Sequence, residues 1–308
     1  MYKHTKRIRM SPGDRVFVVL NGFLLFLFFV ATLYPILFVL SASFSDPTAV
    51  STGKMILFPI DPTFQGYEFI LQYKEIWTGY ANTLFYTIVG TMWNLFLTLP
   101  CAYALSRRDM GSRGVIMAIF MVTMYFSGGL IPGYLNMRDL GLLDSRIGLV
   151  LNTSISVYNL IVARTFFANS IPWELHEASF LDGCTDFRIF LKIVLPLSSP
   201  IIAVLTLYYG VGHWNSYFSA LIYLQDRTKY PLQVFLREIL VQGRFAEALI
   251  QSGEALSAEQ MAELAKQSKT ADMIKYGIIV VSTVPMMIIY PWMQKFFAKG
   301  VMIGSVKG

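Results

Sequence analysis

From Val16 to Leu40 the chain runs for 25 residues without one charged side chain. A helix needs about 20 mainly apolar residues to cross the hydrocarbon layer of a bilayer, where backbone polar groups have no water to bond. Five later stretches read the same way: Ala81–Leu105, Gly114–Leu135, Ile147–Phe167, Pro200–Leu224 and Ile274–Phe297. A soluble core cannot hold them all. Of the 308 residues, 55% are hydrophobic and only 14% charged, and mean hydropathy is +0.53, against a usual charged fraction of about 25%. Too little polar surface is left to cover a soluble domain. The expected fold class is therefore an all-α membrane protein with six transmembrane helices. Residues 1–15 form an N-terminal tail, 16–297 the membrane domain and 298–308 a C-terminal tail.

The first run follows a basic stretch, and Ser41-Ala42-Ser43 looks like a signal-peptidase site. Signal cores are shorter, about 7–15 residues, so the run is read as a retained span. Tyr34-Pro35 should kink this helix without ending it, because neighbouring helices can satisfy freed carbonyls. Lys and Arg set the orientation. With the N-terminus inside, the inner segments hold 14 of the 25 Lys and Arg but six of the 19 Asp and Glu. The net charge of +6 is thus a topology signal facing anionic lipid, not a nucleic-acid footprint. Both termini are expected in the cytoplasm of a bacterial cell, with the chain in its inner membrane.

Two outer loops are long. Residues 41–80 contain Pro47, Pro59, Pro62 and Gly66 and read as an ordered, irregular cap. Residues 225–273 carry an amphipathic helix in which Ser257 and Gln260 form a capping box ahead of Met261, Leu264 and Ala265. It either covers the outer mouth or touches a delivery protein. Cys101 and Cys184 make no disulfide framework, and His4, His176 and His213 are far apart, so no metal site and no catalytic residue are expected. No internal repeat supports a secondary transporter.

The inner segment from Ser170 to Pro196 holds the most information. Ser170 and Pro172 mark a helix start, and Glu174 and Glu177 sit early, where the helix dipole favours anions. Gly183 can take the left-handed conformation that ends a helix. Thr185 and Asp186 can cap a second short helix, Arg188 and Lys192 fall near its end, and Pro196 is expected to stop it before the fifth span. Trp173, Leu175, Phe180, Leu181, Phe187, Phe190 and Leu191 supply apolar anchors. The product is a helix–turn–helix on the inner membrane surface, either seated on a partner or resting on lipid.

Glu177-Ala178-Ser179, then Gly183, then Ile193, Leu195 and Pro196 stand at the spacing of the EAA loop of ABC importer permeases. This chain departs from that pattern only in Ser179, where the family has Ala. The resemblance implies the type I ABC importer permease fold, with this loop as a coupling helix docked in a cleft of an ATPase subunit. Glu177, Ala178, Ser179, Asp182, Gly183, Ile193, Leu195 and Pro196 would carry the contact, Glu177 touching the ATPase, Gly183 setting the turn and Pro196 the exit. It also implies the partners: a second homologous permease, two ATPase copies that bind ATP and Mg, and an external sugar-binding protein. The chain needs no cofactor and is no enzyme, and it lacks a G-x-x-x-x-G-K-[ST] loop.

Tyr34-Pro35 ahead of Ser41–Ser45, Ser127-Gly128-Gly129-Leu130-Ile131-Pro132, Leu140–Ser145 and the tail from Lys299 to Gly308 are similar to MalG-like sugar permeases, most of all their LplC/YtcP subgroup. The implied cargo is a sugar or oligosaccharide; another ABC solute, such as a peptide, amino acid or lipid precursor, shares the coupling loop. Sugars are bound by aromatic faces and neutral hydrogen-bonding groups. Asn152, Tyr158 and Asn159 of the fourth span, and Tyr208, Tyr209, His213, Trp214, Asn215 and Tyr217 of the fifth, are such groups. Polar side chains in a bilayer either line a path or glue helices together, and the pattern alone leaves both open.

Overall fold

In a computed structural model the protein is described over residues 11–252 and 257–304. The basic start from Lys3 to Arg9, and Lys307, lie outside these residues. Every regular element among them is helical. α1 is Pro12–Ala42, opened by a reciprocal cap in which Asp14 N–H donates to Ser11 Oγ and Ser11 N–H to Asp14 Oδ2. It runs unbroken through Pro35 and buries almost nothing. The outer cap contains α2 (Pro47–Ser51) and α3 (Gln65–Gln72), joined by irregular chain. α4 spans Lys74–Ser106.

Three of the expected continuous spans are broken. The third is α5 (Arg113–Tyr125) and α6 (Leu130–Asp139), bent by 114°. Between them Gly129 takes φ 88°, which only glycine adopts freely. The fourth is α7 (Arg146–Leu151) and α8 (Val157–Ser170), separated by Asn152–Ser156. The inner loop follows as α9 (Trp173–Leu181), α10 (Asp186–Ile189), a π turn over Phe190–Val194 and α11 (Leu195–Leu197). The fifth span is α12 (Ser199–Trp214) and α13 (Phe218–Tyr223), parted at Asn215–Tyr217. A 3-10 turn at Arg227–Lys229 leads to α14 (Leu232–Ser252). α15, Ala258–Gly304, is one 47-residue helix that merges the amphipathic outer helix with the sixth span. The expected capping box opens it: Gln260 N–H donates to Ser257 Oγ and Ser257 N–H to Gln260 Oε1. Among the described residues, three helices are long and apolar enough to cross a membrane alone. The α5/α6 pair and the helical run Asp186–Leu197 joined to α12 raise the number to five.

The chain divides into two compact units, one through Ile70 with Gln242–Val280, the other Leu71–Val241 with the chain from Val281. In the first, Phe44 stacks on Tyr67, whose hydroxyl donates to Ser43 Oγ at 2.7 Å. Gly66 lies so close to the Met273 carbonyl that a Cβ could not fit. In the second, α4 is the central post, packed by α8 and α12. Besides Ile76, Tyr86, Leu99, Ala102, Tyr103 and Leu105, it buries small and polar residues: Gly79, Asn82, Thr83, Gly90, Thr91, Asn94 and Thr98. Helices in lipid associate through such faces, since apolar burial alone gains nothing there.

Candidate functional site

The inner loop is built by turn chemistry. α9 starts at Pro172; Ser170, expected to open it, instead belongs to the end of α8. Gly183 has φ +74°. Its N–H donates to the Phe180 carbonyl and the Cys184 N–H to the Ser179 carbonyl, both at 3.0 Å. This is a Schellman ending, which demands a left-handed residue at Gly183. Thr185 precedes α10 without a side-chain cap, and Asp186 pairs with Arg107 instead. Pro196 does not end the helix as expected. The preceding π turn, closed by the Leu195 N–H on the Phe190 carbonyl, widens the helix where proline lacks a donor. The turn into the span falls at Ser198, whose hydroxyl donates to the Val194 carbonyl at 2.6 Å; the bend there is 81°.

α9 has two faces. His176 and Ser179 point inward, Ser179 donating to the Leu175 carbonyl at 2.6 Å. Glu174, Glu177, Ala178 and Leu181 form an exposed stripe at helical spacing, and Asp182 beyond it is exposed. Leu181 is 90% exposed, and Phe187 on α10 is 72% exposed. Ile193 and Leu195 are half-buried and Pro196 is exposed. The loop thus presents acidic and apolar groups together.

The inward face is tied to α4 by contacts that sequence reasoning did not single out. Trp173, His176, Tyr103 and Phe190 stack in a row, with ring centres 5.1, 5.8 and 5.1 Å apart. Arg107, capping α4, forms ion pairs with Asp109 and Asp186 and lies over the rings of Phe180, Tyr103 and Trp173. Hydrogen bonds from Arg107 hold the Asp109 carboxyl below the usual carboxylate range. Accepted by Asp109 and then by Asp186, such bonds raise the guanidinium in turn. Arg164 Nε donates to the Leu105 carbonyl at 3.0 Å and Arg113 to the Arg107 carbonyl at 2.9 Å, satisfying groups left open at a helix end. In the sequence these arginines counted only as topology charges.

The membrane-depth candidates separate into groups. Asn152 and His213 line one cavity of about 20 Å³ with Tyr86, Thr153, Ser216 and Ser219. That is room for one water and not for a sugar ring. His213 Nε2 lies 2.6 Å from Asn94 Oδ1, and Gly90 leaves no space for a Cβ against the imidazole. Tyr158 and Tyr208 face each other at 6.3 Å, both exposed. Trp214 is 2% exposed and its indole donates to the Ser282 carbonyl at 3.0 Å, so its observed contacts are packing ones. Asn215 bonds back to the Val211 carbonyl, and Tyr217 lies under the Arg237 guanidinium. Asn159 is buried.

Asn94 was not anticipated. Its Nδ2 donates to the carbonyls of Thr153 and Ser154, Trp93 donates to Ser154 Oγ at 3.0 Å, and the Ser156 N–H donates to Tyr209 at 3.2 Å. Irregular backbone at membrane depth survives only when protein satisfies it. These side chains do so at the break between α7 and α8.

No protein-family model matches the chain. It is 41% identical to the polygalacturonan/rhamnogalacturonan transport system permease protein YtcP of Bacillus subtilis (strain 168), over 96% of this chain and 99% of that protein. The chain belongs to the carbohydrate ABC-importer permeases. LplC of the same organism is 37% identical over 97% of each. A chain in the crystal structure of a bacterial ABC transporter involved in the import of the acidic polysaccharide alginate is 38% identical. It aligns with a TM-score of 0.81 over 94% of this chain and 99% of that one. As a permease of this family the protein is a multi-pass transport subunit, not an enzyme, and the all-helical membrane fold agrees with it.

Proposed function

We propose that the chain forms one half of the path by which an ATP-driven importer carries oligosaccharides of an acidic polysaccharide into a bacterial cell. The cargo class is supported by the names of the relatives, polygalacturonan and rhamnogalacturonan in one case and alginate in another. The second half is a homologous permease. An external binding protein delivers the sugar, and two separate ATPase subunits hold the ATP and Mg. The chain crosses the inner membrane six times with both termini in the cytoplasm, and the loop Ser170–Pro196 is the lever.

The single observation that carries the lever is the two-faced α9. Glu174, Glu177, Ala178 and Leu181 stand exposed while the opposite face is stacked onto α4. A helix seated on an ATPase and bound this firmly to a span passes a push on one to the other. Glu177, Ala178 and Asp182 would meet the ATPase, Ser179 and Gly183 would hold the helix and its turn, and Ile193, Leu195 and Pro196 would join it to α12. At membrane depth, Asn152 and His213 line a closed point of the path, and Tyr158, Tyr208, Asn215 and Tyr217 would meet the cargo elsewhere along it.

The test is co-purification of the assembled importer carrying Glu177→Lys. ATPase recovery should fall at least about fivefold, since a reversed charge at such a contact costs on the order of 1 kcal/mol or more. Unchanged recovery would remove Glu177 from the contact. Uptake into vesicles that persists without nucleotide would remove the ATP-driven reading.

A further inference from the structure

An open cavity of about 600 Å³ lies among Phe85, Asp144, Ser145, Arg146, Ile147, Thr228 and Lys229, within the range of ligand sites at about 300–1,000 Å³. Three cations and four carboxylates share this face, and the carboxylates pair with two of the cations. Arg227 pairs with Glu238 at 3.0 Å and Glu75 at 3.4 Å. Lys229 pairs with Asp144 at 2.8 Å and Asp226 at 3.6 Å. The Lys229 ammonium, helped by the N–H groups of Asp226 and Gln225, drives the Asp144 carboxyl down to about 2. Arg146 has no carboxylate partner among the described residues. It is exposed, yet steadied by neutral groups: its Nη2 donates to Asn82 Oδ1 at 3.0 Å and reaches the Thr228 carbonyl at 3.5 Å.

We infer that Arg146 receives a carboxylate of the cargo, a uronate residue of an acidic oligosaccharide, at the mouth of this cavity. A guanidinium offers a planar fork that matches a carboxylate with two parallel bonds. Of the three cations, Arg146 is the one whose fork no carboxylate occupies among the described residues, so it is the one open to such an acceptor. Phe85 and Ile147, both exposed on the wall, supply the apolar surface on which a sugar ring face rests. Asn82 and Thr228 hold the fork without cancelling its charge. The inference rests on the import reading above and adds to it where the acid is recognised.

The experiment uses the whole importer in vesicles, with trigalacturonate as the probe and uptake and ATPase rate as readouts. Arg146→Gln should lower uptake roughly tenfold, the scale of one charge-assisted hydrogen-bonded pair. Arg146→Lys should recover part of it, and the complex should assemble normally in both. For the methyl-esterified trisaccharide, which carries no carboxylate, uptake by Arg146→Gln should stay within about threefold of the parent's. Arg146→Gln with unchanged uptake overturns the site. So does an equal fall for the esterified probe in Arg146→Gln, because the arginine would then be a brace alone. A parent importer that takes up no trigalacturonate under ATP overturns the cargo reading and this site with it, whereas loss confined to the Arg146 variant leaves the cargo reading standing.

Discussion

Gly183 shows how one residue settles a surface. Nothing lies within 4 Å of where its Cβ would stand, so no neighbour forbids a side chain. The backbone does: φ +74° costs an L-residue about 1–2 kcal/mol, and a β-branched one more. Gly183→Val should therefore swing α10 away from α9 without emptying any core. The complex is expected to reach the membrane, while sugar-dependent uptake falls roughly tenfold at near-normal ATPase activity. Paired uptake and hydrolysis rates check this, and normal coupling between them would show that the turn is not part of the lever. Ser179 is a second case. It stands where the family pattern has alanine, and the structure uses its hydroxyl within its own helix, on the face turned from solvent.

At the scale of elements, the breaks matter more than the helices. The apolar runs at 114–135, 147–167 and 200–224 look continuous because hydropathy averages over a window, and a window cannot see Gly129 turning at positive φ or Asn152–Ser156 leaving the helix. Asn94 answers the second break from another helix. Asn94→Leu keeps the branched shape but strands two carbonyls at membrane depth, at a cost of about 1–3 kcal/mol. Its melting temperature in detergent should drop by several degrees, as expected for a loss of this size. An unshifted melt would mean that water or lipid headgroups satisfy those carbonyls. The inner loop was more legible, because Pro172, Gly183 and Pro196 are local signals. Even there the exit was misplaced: the π turn absorbs Pro196, and the bend moves to Ser198.

For the whole molecule, the distribution of Lys and Arg predicts a direction. Single cysteines introduced at Leu181 and at Phe58, both highly exposed, in a chain freed of Cys101 and Cys184, should react from opposite sides of the membrane. Leu181 is expected to label only when the reagent reaches the cytoplasm, and Phe58 from outside in intact cells. Labelling of Leu181 from outside would invert the topology and end the lever. α1 belongs to this scale too: its exposed apolar surface has meaning only with lipid or a second subunit around it.

The sequence by itself determined the solvent and the partner class. Apolar runs too long for a soluble core demand a bilayer, and a glycine between two short helical segments makes a turn. Those are local properties, carried by residues near one another in the chain. Tertiary structure alone decided which polar groups are braces and which are free. Asn94 reaches the Thr153 carbonyl, Tyr103 stacks on His176 and Arg146 is left without an acid because of contacts between residues tens of positions apart. A hydrogen bond or an ion pair depends on where its partner comes to rest, and only the packed helices fix that.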